Sequence, residues 1–70
     1  MEDIKFKEFC ERINFEIHKK GDKYIGYTKQ LFFTFCKVNN ENKNDSIENK
    51  DRLIIHLMDK QCPTWRKLKR

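Results

Sequence analysis

The sequence predicts an α+β domain of order αβββα, an antiparallel three-stranded meander with two helices packed on one face. Three features carry this expectation. An amphipathic stripe, Phe6, Phe9, Cys10 and Ile13, opens the chain at helical spacing. A stretch rich in aromatic and branched residues follows, and its apolar maximum is Lys29–Val38, Lys-Gln-Leu-Phe-Phe-Thr-Phe-Cys-Lys-Val. A second helical stripe lies between Ser46 and Gln61, stopped by Pro63. Residues 1–62 are expected to form one small domain with a flexible polar loop at 39–45, and residues 63–70 a basic C-terminal tail.

The elements follow from local chemistry. Asp3 is an N-cap candidate, because its carboxylate can accept from free amides of a first turn. Glu8 and Arg12 form an i,i+4 pair on the solvated side, and Asn14 can end the helix because Asn tolerates left-handed backbone. Phe15 and Ile17 then alternate with Glu16 and His18, a strand period. Gly21, in Lys19-Lys20-Gly21-Asp22, supplies the positive φ of a tight hairpin, and Lys23–Thr28 reads as the returning strand. Gly26 within it suggests a bulge, and Thr28-Lys29-Gln30 is expected to turn the chain. Over Lys29–Val38 a strand puts Leu31, Phe33 and Phe35 on a core face. Phe32, Thr34, Cys36 and Val38 then form a second, open face that needs cover. Asn39–Asp45 is polar and low in complexity. Asp45 or Ser46 caps the last helix, whose stripe is Ile47, Lys50, Ile54, Leu57, Met58 and Gln61 with Leu53 beside it. Leu53–Met58 taken alone also fits a strand; the cap and the total length favour helix.

Composition bounds the function. Seventy residues make at most one domain, and a chain this short has a small stability margin. Cys10, Cys36 and Cys62 are an odd, widely spaced set, which argues against a secreted disulfide framework and for a reducing, intracellular setting. Cys10 and Cys36 are expected in the core, and Cys62 is expected to be the most exposed thiol. The N-terminus is acidic and amphipathic, unlike a secretory signal, and no apolar run approaches the ~20 residues of a membrane helix. A soluble protein of the cytoplasm is expected, with no membrane partner. The formal charge of +5 is concentrated at residues 61–70, which hold four Lys/Arg and no acid. Lysine outnumbers arginine twelve to four and alanine is absent. Phe, Tyr, Met, Ile, Asn and Lys, all encoded by A/T-rich codons, make up 35 of the 70 residues. That bias fits a phage or mobile element of a low-GC host, and it attributes part of the positive charge to codon usage.

The chemistry-bearing residues do not assemble into a motif. Cys10, His18, Cys36, His56 and Cys62 lack the short local spacings of a structural zinc site, so neither metal nor cofactor is expected. His18 and His56 are the only groups suited to acid–base work near neutral pH, no nucleophile is spaced for a relay, and no enzyme is expected. The αβββα order is shared with double-stranded-RNA-binding domains, but their Gly-Pro-x-His loop and lysine pair are missing. Phe15–Tyr24 is similar to the strand and turn of HicA-type toxin ribonucleases, with Asp22 and Lys23 standing where serine and histidine occur. An atypical ribonuclease of that kind is the third reading.

The first reading is a non-catalytic, stoichiometric binding protein, a phage- or mobile-element-encoded modulator of a host protein or nucleoprotein. An anti-defence inhibitor such as an anti-CRISPR protein is its concrete form, acting in the host cell interior. Its candidate contacts are Trp65, Arg66, Lys67, Lys69 and Arg70 in the tail, with Phe32 and Tyr24 on the open sheet face. Trp65 serves equally as a plug for the core or as an interface anchor. The alternative is a small DNA- or RNA-binding regulator that uses Lys19, Lys20, Lys23, Lys29 and Lys37 as a phosphate track, with Tyr24 and Phe32 as stacking platforms. A homodimer through the open sheet face is the remaining expectation.

Overall fold

The computed structural model describes residues 2–21 and 23–68, with the side chains of Glu2, Asp3, Lys19, Lys23, Tyr24 and Leu68 outside the description. Three helices dominate it: α1 (Glu2–Arg12), α2 (Tyr27–Glu41) and α3 (Ile47–Gln61). Between α1 and α2 lies a minimal hairpin, β1 (Lys19–Lys20) against β2 (Lys23–Tyr24), and a 3-10 helix at Trp65–Leu68 follows α3. The hairpin pairs Lys19 with Tyr24 and Lys20 with Lys23, and is the one sheet among the described residues. The αβββα meander is therefore wrong. The apolar run read as a third strand is the middle of α2, and there is no open sheet face for a dimer to use.

The first helix follows its apolar stripe and its terminator, but it begins at Glu2, so Asp3 lies inside it and is not its N-cap. Phe6, Phe9 and Cys10 are buried and Ile13 is half-buried. Asn14 ends it with φ 60°, while the Phe15 amide donates to the Cys10 carbonyl at 2.8 Å and the Asn14 amide to that of Glu11 at 3.2 Å. This is a Schellman closure, with Asn as the left-handed residue. Arg12 does more than expected: its guanidinium hydrogen-bonds Asp51 on α3, at 2.7 and 3.1 Å, and the Glu8 charge one turn earlier adds a smaller attraction. Beyond Asn14, Phe15 is buried and Ile17 half-buried while Glu16 and His18 are exposed, so the alternation holds without a ladder. Gly21, at φ 62°, turns the hairpin where the sequence placed it.

The largest correction is α2. Gly26, expected as a bulge, is its N-cap at φ 57°, and the predicted turn Thr28-Lys29-Gln30 lies inside its first turns. Thr28, Leu31, Phe35 and Val38 recur at i, i+3, i+7 and i+10, a helical stripe, and are buried together with Thr34. Phe33, assigned to the core with Leu31 and Phe35, is 67% exposed. The side-chain amides of Asn39 and Asn42 donate to the carbonyls of Phe35 and Val38, at 2.8 and 3.1 Å. The Val38 carbonyl also accepts the Asn42 backbone amide at 2.8 Å, so the Asn42 side chain adds a second bond there.

Ser46 caps α3 as predicted, its Oγ accepting from the Asn49 amide at 3.1 Å. Leu53–Met58 is helical, with Ile54 and Met58 buried and Leu53, Ile55 and Leu57 half-buried; Ile47 is 60% exposed. The most closely packed pair of elements is α2 with α3, tied at the rim by Gln30 to Gln61 at 3.0 Å. On its other flank α2 meets α1 through aromatic contacts, Phe6–Phe35 at 5.5 Å and Phe9–Phe35 at 5.4 Å between centroids. Such pairs contribute about 0.5–1.5 kcal/mol beyond burial. No described helix is long and apolar enough to cross a membrane.

Candidate binding surface on the second helix

A helix gives α2 two faces of opposite use. With Leu31 and Val38 turned inward, the outward line is Lys29, Phe33 and Lys37, one turn apart, flanked by Asn40 and half-buried Cys36. Both lysines are exposed, and no ion pair among the described residues holds either. The nearest acid along the helix is exposed Glu41, which continues the same line one turn past Lys37, at the C-terminal end of α2. The arrangement is an exposed aromatic ring bracketed by cations on one helix.

The remaining candidates are dispersed. Phe32 is half-buried, its ring edge-on to Phe6 at 4.9 Å, instead of lying open beside Tyr24. The Tyr24 ring lies outside the described side chains, as do those of Lys19 and Lys23. Lys20 is exposed at the hairpin, away from the helical stripe in sequence. Among the described side chains, Lys29 and Lys37 are thus the two members of the predicted phosphate track that share a face with an aromatic ring. Phe33 is the residue the sequence reading missed. Its signal was available, because Lys29, Phe33 and Lys37 sit at i, i+4 and i+8, opposite the Leu31–Phe35–Val38 stripe.

The predicted tail folds back. Trp65 is 3% exposed and packs edge-on against Phe15 at 5.4 Å. Its Nε1 donates to Asp59 Oδ1 at 2.9 Å, the arrangement of a core plug. Arg66 holds the same carboxylate through two bonds, at 3.0 and 3.1 Å, and lies over the indole at 4.9 Å from the centroid. Hydrogen bonds from Arg66 first and Trp65 second keep the Asp59 carboxyl below its ordinary pKa. Tyr27 Oη and Thr64 Oγ1, 2.6 Å apart, connect this closure to the start of α2. Lys67 is exposed, and Lys69 and Arg70 lie outside the described residues.

A shallow groove of about 500 Å³ runs between the end of α1 and residues 15–18, lined by Lys7, Cys10, Glu11, Phe15, Glu16 and His18 among others. Burial, with the nearby Glu11 charge, pushes the Cys10 thiol up to about 12, so it is protonated at neutral pH and a poor nucleophile. Cys36 and Cys62 are both half-buried, so Cys62 does not stand out as exposed. Among the described residues no group of three or more His, Cys, Asp or Glu side chains could hold a metal ion. His18 and His56 are exposed on different elements. The segment similar to HicA-type ribonucleases consists of irregular chain and the minimal hairpin, with Asp22 outside the described residues. No family model matches the chain, and no match was found among curated proteins or solved structures.

Proposed function

We propose that this protein is a non-catalytic binding protein that acts by occupancy, engaging a host protein or nucleoprotein through the outward face of α2. One observation carries the reading. Phe33 is 67% exposed at the centre of a rigid helix while Leu31 and Phe35, its near neighbours, are sealed in the core. An exposed large aromatic is the kind of side chain enriched at interface centres, and the lysines on either side of it fit the polar rim. The A/T-biased composition and small size support a phage or mobile-element origin and an anti-defence role in the host cell interior, with an anti-CRISPR-like inhibitor as the concrete form.

The experiment is affinity capture from lysate of a low-GC bacterial host, comparing the parent with Phe33→Ala and with Lys29→Glu/Lys37→Glu. The reading expects a discrete partner retained by the parent and lost by both variants at unchanged melting temperature. Equal capture by all three proteins would exclude the α2 face. A second reading, a regulator that binds nucleic acid directly, is favoured by the cationic bracket around Phe33.

A further inference from the structure

Resting on the binding role of the α2 face, we infer that Lys29, Phe33 and Lys37 form a site for single-stranded nucleic acid. A base stacks on the Phe33 ring, and backbone phosphates on either side of it meet the two lysines. The charge of the face selects the occupant. Lys29 and Lys37 are exposed cations without ion-pair partners among the described residues, and the stripe between them contains no acid. At about 1.5 Å of rise per residue the two lysines stand about 12 Å apart along the helix, with the ring midway. A polyanion carrying flat apolar faces between its charges satisfies both features at once.

The same geometry disfavours two other occupants, a second copy and a duplex. A second copy docked antiparallel across this face would stack Phe33 on Phe33, but it would also set Lys29 of each copy against Lys37 of the other. Like charges would then oppose each other at both ends of the contact. A duplex buries the faces of its bases, leaving Phe33 with base edges and sugar to touch and no ring to stack on. Single strands expose those faces, and stacking on an aromatic side chain is tolerant of sequence. Phe32, the platform predicted from sequence, already packs on Phe6, whereas Phe33 presents most of its ring area to solvent.

The test is a fluorescence-anisotropy titration of the full chain with labelled 20-mers of oligo-dT and oligo-U, and with a 20-bp duplex, across a salt series starting at 50 mM. Binding of either single strand in preference to the duplex is expected, with log affinity falling linearly in log salt at a slope of about −1.4 for two neutralised phosphates. Lys29→Gln/Lys37→Gln should flatten that slope to near zero. Phe33→Ala should weaken binding about tenfold with the slope unchanged, and Phe33→Trp should restore it. Melting curves on each variant separate loss of contact from loss of fold. The inference is overturned if neither single strand binds at 50 mM salt, if the duplex binds more tightly, or if the variants leave affinity and slope unaltered. Should the oligonucleotides fail while lysate capture still depends on Phe33, the nucleic-acid assignment falls and the binding role stands, with an acidic protein as partner. If capture is also indifferent to Phe33, both fall.

Discussion

The two faces of α2 are built from one apolar run and are put to opposite uses. Inward, Leu31, Phe35 and Val38 are 0%, 4% and 1% exposed and close the core against α1 and α3. Outward, Phe33 is two residues from Phe35 and 67% exposed. The difference teaches that hydrophobicity in this stretch is not a single signal. Part of it stabilises a small domain, and one ring stands apart from the stability problem and is free to serve recognition.

The two-face account predicts unequal responses to equal substitutions. Phe35→Ala removes a buried ring that touches Phe6 and Phe9 and should cost about 3–5 kcal/mol, read by urea denaturation. On a domain of this size that approaches the whole stability. Trp65→Ala should cost a comparable amount, because it opens the core and leaves Asp59 without one of its donors. If the C-terminal turn were a free tail, the same change would leave the urea midpoint unmoved.

Smaller effects test the edges of the account. Ser46→Ala deletes the cap of α3 and should cost about 1 kcal/mol, visible as a lower denaturation midpoint. Asp59 has its carboxyl pKa depressed in the fold, so the stability it contributes is present at neutral pH and above its unfolded pKa. That stability is lost as pH falls through the lower folded value. Acid titration of tryptophan emission should therefore show a loosening of the Trp65 environment below about pH 4 that is reduced in Asp59→Asn. Because Asp59 is partly exposed, the amplitude should be modest and shrink with salt. Phe33→Ala should change stability by no more than about 0.5 kcal/mol, the level of a surface substitution.

Much of the fold was legible where a local cue met a clear period. The α1 stripe, the Asn14 terminator, the Gly21 turn and the Ser46 cap all act through one or two residues whose conformational preference is strong. The middle of the chain was not, for a physical reason. Leu-Phe-Phe-Thr-Phe-Cys-Lys-Val has the composition of a strand, and within ten residues alternation and helical spacing are hard to separate. Extending the window back to Thr28 completes the i, i+3, i+7, i+10 stripe, and burial on both α1 and α3 then overrides β-propensity. The candidate site inherited that error. A strand places Phe33 in the core and Phe32 outside, whereas the helix reverses them. Trp65 was left open between plug and anchor, because its fate depends on Asp59 and Phe15, partners that only the folded chain brings to it.

The central claim is that Phe33 and Phe35 lie on opposite faces, and a strand and a helix differ on it without ambiguity. Solvent paramagnetic relaxation of the phenylalanine ring protons, measured with a neutral soluble probe, reads each ring's exposure directly. The account predicts strong enhancement for Phe33 and protection for Phe35, with Phe6 and Phe9 protected as well. Equal protection of Phe33 and Phe35 would place them on one face, restore the strand, and remove the binding surface proposed for α2.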